Sequence, residues 1–163
     1  MAEALMVTSP VAGRVVAMRD VPDPVFAESM VGPGLAVDPD PEAGASAVAP
    51  CAGVVVKLHP HAFVLLAPSG DTQAAEGSGR GVLVHLGIDT VQLEGEGFTL
   101  LAAEGDTVEA GQELVRWSPA AVADGGRSPL VPVVALDLGA DGLTELAAPG
   151  AVVRAGDPLF RLG

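Results

Sequence analysis

Cysteine is almost missing from this chain. Cys51 is the only one, so no internal disulfide can form and there is no redox pair. Aromatic residues make up 3%, with no tyrosine and one tryptophan, which leaves the core to aliphatic side chains. Basic residues are also scarce: 8 against 21 acidic ones, a net charge of −13, with Lys57 as the sole lysine. Such a balance excludes a nucleic-acid binder, which needs a basic face. No apolar run approaches the ~18 residues of a membrane-crossing helix, so direct membrane insertion is not expected. The first residues, Met1 to Val7, lack the basic start and apolar stretch of a signal peptide, and a cytoplasmic protein is expected.

What is present is a chain of 163 residues, 49% hydrophobic, suited to one compact domain over 1–163 with a sizeable core. Its apolar residues fall in short valine-rich runs, such as Val54-Val55-Val56, Val82-Leu83-Val84 and Val131 to Leu136, punctuated by 21 glycines and 14 prolines. Short β-branched runs between turn residues predict an all-β, compact antiparallel sandwich or barrel with little helix. Only Ser118 to Ala123 reads as a helical turn, with Ser118 as cap and Pro119 at the first position.

The chain also repeats itself. Ser9 to Val16 resembles Ala49 to Val56, and Glu104 to Val115 resembles Pro149 to Phe160. In the second pair, Gly105 and Gly111 match Gly150 and Gly156, each pair bracketing a turn where glycine supplies a positive φ. A duplicated strand–turn–strand unit predicts a pseudo-symmetric sandwich. Two segments, 38–46 and 69–81, read as exposed excursions, the second as a flexible hairpin tip.

Reactive side chains are few. The three histidines are His59, His61 and His85. Strand alternation puts His61, Phe63 and Leu65 on one face and Leu83 with His85 on another. If the two strands pair through the 69–81 loop, His61 and His85 meet, rimmed by Phe63 or Leu83. Imidazole is neutral and nucleophilic near neutral pH. One ring can then attack phosphorus while the second hydrogen-bonds the phosphoryl oxygens, a reaction that asks mainly for positioning and charge stabilisation. The carbonyl of Gly87 is placed to fix the tautomer of His85. The same residues also offer His59-Pro60-His61 and His85 with Asp89 as zinc ligands, with zinc activating a water. The residues alone leave both chemistries open.

A resemblance decides between them. Asp20 to Glu28, Val31 to Gly34, Val48 to Pro50, His61 to Phe63, Val84 to Val91, Leu93 to Phe98, Glu104 to Val108 and Pro129 to Val134 resemble, in order, the glucose-type enzyme IIA family of the bacterial phosphoenolpyruvate-dependent sugar phosphotransferase system. The resemblance implies a β-sandwich phosphocarrier. His85 would be phosphorylated on Nε2, and His61 would steady the group without carrying it. Phospho-HPr is the implied donor, and a cysteine on the IIB component of a sugar permease, glucose or N-acetylglucosamine type, the implied acceptor. It also implies a docking patch containing Phe26, Leu83 and Val91 with an acidic rim of Asp23 and Asp89. Regulated transporters or metabolic enzymes would be further partners, and a regulatory Zn²⁺ would bind at His61 and His85 when a partner adds a carboxylate. No other cofactor is implied.

The chain departs from the family pattern in places. His59 stands where a threonine usually orients the second histidine, in a shortened segment. The 69–81 loop is longer, and Leu83 and Leu86 replace phenylalanines. Gln92 stands where the family often has an acidic residue. No tethering N-terminal tail, IIB signature or permease helix is expected. Two other readings fit less well. LytM-type zinc peptidases use H-x-x-x-D before H-x-H, the reverse of the order here, and contain further histidines. A lipoyl- or biotinyl-type carrier shares a hairpin like Glu104 to Gln112, but needs its lysine at an exposed tip, whereas Lys57 lies among valines.

Overall fold

The computed structural model describes residues 5–28, 30, 32–41, 46–68, 79–136 and 142–162. Its strands follow the valine-rich runs: β1 (Leu5–Thr8), β2 (Gly13–Ala17), β3 (Gly34–Pro39), β4 (Ser46–Val48), β5 (Gly53–His59), β6 (Ala62–Pro68) and β7 (Gly79–His85). There follow β8 (Thr99–Leu100), β9 (Thr107–Val108), β10 (Glu113–Arg116), β11 (Val131–Ala135), β12 (Leu143–Glu145), β13 (Val152–Val153) and β14 (Pro158–Leu162). They pair antiparallel into one eight-stranded sheet, β13-β2-β3-β11-β7-β6-β5-β9, and two three-stranded sheets, β1-β14-β12 and β4-β10-β8.

The duplication is visible bond by bond. The Gly105 N–H donates to Val55 O at 2.7 Å, and its counterpart Gly150 N–H donates to Val15 O at 2.8 Å. Gly111 N–H reaches Ala49 O at 2.9 Å, and Gly156 N–H reaches Ser9 O at 2.9 Å. The halves exchange bonds across their junction, Thr8 N–H to Pro50 O and Val48 N–H to Pro10 O, both 2.9 Å. The four turn glycines adopt φ between 89° and 94°, a region where an L side chain is strained.

Alternation works on one-sided strands: in β5, Gly53 and Val55 are buried while Val54 and Val56 are exposed. In β11 every position is buried, because both faces of the sheet are covered there. Val131 and Val133 join the main core with Phe63, Leu65, Val82, Val84 and Phe160. Val134 faces a second cluster, Met18, Val21, Phe26, Ala36 and Ile88, formed by the β2–β3 connection folding over the sheet. Each such buried side chain contributes roughly 1.5–3 kcal/mol of transfer free energy.

The predicted turn at Ser118 forms: helix α2 spans Pro119–Asp124, and the Ser118 hydroxyl accepts from Ala121 N–H at 3.1 Å. It is not alone. The same signal, cap then proline, starts α1 (Pro24–Ala27), where the Asp23 carboxylate accepts from Val25 N–H at 2.9 Å. Met18–Asp20 and Thr90–Leu93 each add a 3-10 turn. The 38–46 excursion is shorter than expected, since β3 runs to a buried Pro39 and β4 begins at Ser46. Most of the expected hairpin tip, residues 69–78, lies outside the described residues. Cys51 is buried, which pushes its thiol up to about 11 and leaves it unreactive. Trp117 is buried in the main core and stacks on Phe98 at 6.0 Å.

Candidate functional site

His85 ends β7, and the chain beyond it is held by four hydrogen bonds. Leu86 N–H donates to His61 O at 2.7 Å, Gly87 N–H to Leu130 O at 3.0 Å and Ile88 N–H to Ser128 O at 2.9 Å. The hydroxyl of the fully buried Thr90 donates to Leu86 O at 2.7 Å. This turn needs Gly87 at φ +83° and aims the Gly87 carbonyl at Nδ1 of His85, which donates to it. A carbonyl can only accept, so the proton sits on Nδ1 and Nε2 keeps its lone pair.

His61 reaches the same place from a two-residue turn, Pro60-His61, between β5 and β6. The strands bring it there in register: Ala62 pairs with His85 and Phe63 with Val84. The two imidazoles lie 5.2 Å apart at 70°. The meeting expected from the hairpin therefore occurs, but not on the expected face. Phe63 and Leu65 point into the core at 0% exposure, so Phe63 does not rim the histidines. His61 escapes that face because it sits in the turn, where strand alternation no longer applies. Leu83, half-buried and two residues before His85, packs against the cluster that contains Phe26.

The remaining expected residues are distributed as follows. Phe26, from α1, meets His85 edge-on at 5.3 Å and is buried, so it forms a wall behind the ring rather than an open surface. Val91, in the Thr90–Leu93 turn that follows His85, is 58% exposed, and Asp89 is exposed at φ +60°. Asp23 is half-buried and doubles as the α1 cap. Sequence reading missed the exposed Val25 and Met30, which flank Phe26 on the same segment; the Asp23-Pro24 cap was the signal that could have found them. It also missed that Gln92 accepts from Arg127 Nη2 at 3.2 Å, tying the loop after His85 to the segment beyond α2.

Burial is the largest influence on His85 and lowers its pKa, against the opposing pull of the Gly87 carbonyl and the nearby Asp23 and Asp89. His61 is also lowered, by burial first and then by its two histidine neighbours, His85 and His59. Both rings are therefore neutral at pH 7. One neutral ring with a fixed, presented Nε2, beside a second ring, is suited to nucleophilic attack on phosphorus.

The same geometry weakens the other readings. No group of three or more His, Cys, Asp or Glu converges on one point among the described residues, so His59, His61, His85 and Asp89 do not gather into a peptidase zinc set. Lys57 lies within β5, paired with Val64, rather than at a hairpin tip where a carrier lysine must stand.

Comparison with known proteins agrees. Residues 5–140 match the family described as phosphoenolpyruvate-dependent sugar phosphotransferase system, EIIA 1. A "PTS system glucose-specific EIIA component" from Halalkalibacterium halodurans is 38% identical over 135 residues, 82% of this chain and 71% of the relative. One from Staphylococcus aureus is 36% identical over 132 residues, 80% of this chain and 72% of the relative. The solved glucose permease IIA from Mycoplasma capricolum superposes with a TM-score of 0.82 at 30% identity, over 99% of this chain and 97% of that one. The chain belongs to the EIIA 1 family of the phosphoenolpyruvate-dependent sugar phosphotransferase system, and its fold is that family's β-sandwich.

Proposed function

We propose that this phosphocarrier takes a phosphoryl group from phospho-HPr onto Nε2 of His85 and delivers it to a cysteine on the IIB component of a sugar permease. The Nε2 lone pair forms the new N–P bond as the donor's N–P bond breaks; on delivery the N–P bond at His85 breaks as the acceptor sulfur bonds phosphorus. His61 hydrogen-bonds the phosphoryl oxygens through both steps. The observation that carries this reading is the Gly87 carbonyl on Nδ1, which leaves Nε2 as the nucleophile beside the His61 ring. Incubation with phosphoenolpyruvate, enzyme I and HPr, followed by mapping of the acid-labile phosphate, tests it; label on any residue but His85 refutes it.

The exposed Val91, the half-buried Leu83 and the rim of Asp23 and Asp89 form the docking surface in this reading, backed by Phe26. An acidic rim on a chain of charge −13 steers a basic partner, so association slows as salt is raised. The cytoplasm, where such donors work, is its location; among the described residues no helix is long and apolar enough to cross a membrane. A regulatory Zn²⁺ at His61 and His85 also belongs to this reading. Two imidazoles fall short of a four-ligand set, so a partner's carboxylate and a water complete it. A partner-dependent zinc titration unmoved by His61→Ala would refute that part.

Two expected results follow from the second ring and from charge. With His61→Ala, phosphoryl uptake survives but onward transfer slows on the order of 100-fold, the scale of losing one transition-state donor. Normal onward transfer would remove His61 from this role. In NMR titrations the His85 ring should protonate below the ordinary 6.5, because burial lowers its pKa. The same shift acts on stability: as pH falls from 6.5 toward the lowered value, the unfolded chain binds protons that the native ring refuses, so stability is lost in that window. A midpoint at or above 6.5 would contradict the burial argument.

A further inference from the structure

A third imidazole lies beside the pair. His59, the last residue of β5, faces His61 with ring centroids 5.7 Å apart and planes only 25° apart. The backbone under this stack is well braced. His59 pairs with Ala62, and Leu58 N–H donates to the Glu104 carboxylate at 3.0 Å. Pro60 packs so closely on the segment after the Thr90–Leu93 turn that a Cβ added at Gly95 would come within 3.2 Å of its Cγ. What the backbone leaves free is the His61 ring itself, half-exposed, about a side-chain torsion that is intrinsically broad. Among the described residues, that ring's aromatic partners are His59 along its face and His85 at an edge, with no hydrogen bond to hold it.

We propose that His59 is a positioning residue: its ring face holds the His61 imidazole in the plane that points a nitrogen at the phosphoryl group on His85. This rests on the phosphocarrier reading and deepens it. His59 stacks on His61 and not on His85, so it acts on the transferring group only through its neighbour. A flat face is all the role needs. Phenylalanine should therefore replace histidine here, and alanine should not.

The test uses the whole chain, loaded with labelled phosphate by phospho-HPr, with the isolated IIB domain of a glucose permease, carrying its acceptor cysteine, as the receiving probe. Passage of the label to the IIB cysteine should slow about 3- to 10-fold in His59→Ala, the range set by a single aromatic pair. It should return to within about twofold of the original rate in His59→Phe. The His61 ring signals should shift in His59→Ala toward those of a freely rotating ring, and stay dispersed in His59→Phe. An unchanged rate in His59→Ala overturns the inference, and so does a His59→Phe protein as slow as His59→Ala. If the unsubstituted chain takes up no label, the phosphocarrier reading itself has failed.

Discussion

His85→Ala is expected to take up no phosphoryl group while keeping its fold. Of the three imidazoles, only His85 has its Nδ1 pinned by a carbonyl, which leaves the lone pair on Nε2. His61 has no carbonyl to fix its tautomer among the described residues, and His59 stands exposed one ring further out. Truncation removes an edge contact with Phe26, worth about 0.5–1.5 kcal/mol. It also leaves the Gly87 carbonyl without its donor, about 1–3 kcal/mol if water cannot reach it. Neither loss unfolds a domain with this large a core. Labelled uptake and circular dichroism on His85→Ala and His85→Gln measure both halves of the expectation. Substantial label on His61 in either variant would show that the carrier had been assigned to the wrong ring.

Gly87→Ala should damage stability and chemistry together. Its φ of +83° costs a non-glycine residue roughly 1–3 kcal/mol. The added Cβ would also sit 2.6 Å from Thr90 Cγ2 and 3.2 Å from the Ser128 carbonyl. Thr90 cannot swing aside, because it is fully buried and its hydroxyl is bonded to Leu86 O. The turn has to move, and overpacking of this kind costs about 1–3 kcal/mol more. A total of about 4 kcal/mol lowers the melting temperature by about 10 °C in a chain of this size. The carbonyl moves with the turn, His85 loses its tautomer restraint, and uptake should slow by at least about 10-fold, more than 1.4 kcal/mol of barrier. Gly97→Ala is the control: φ is +87° there too, but an added Cβ meets nothing within 4 Å. If the two variants melt alike, the crowding argument fails.

Much of this was legible in the residues. The duplication showed because a left-handed turn demands glycine wherever it recurs, and Gly105, Gly111, Gly150 and Gly156 keep their spacing. The pairing of His61 with His85 showed because a hairpin fixes which residues face one another. What failed was the face of His61: periodicity describes strands, and a single residue stepping into a turn breaks it. The buried wall at Phe26 was equally invisible as a wall. Its place depends on a long connection folding across the sheet onto Ala36, Val134 and Ile88, contacts remote in sequence. The stack of His59 on His61 depends on the 25° between two rings, which no spacing encodes.

The doubled architecture fixes how much cargo a molecule holds. Matching the two halves strand for strand sets Val15 on Val55, Val37 on Leu65 and Val131 on Val82. Continued along the same strands, this puts Val134 at the counterpart of His85 and Pro33 at that of His61. Val134 has no nucleophile to offer and is fully covered by the segment carrying Met18, Val21 and Phe26. The half built on β2, β3 and β11 thus serves as foundation for the half built on β5, β6 and β7, and loading should saturate at one phosphate per chain.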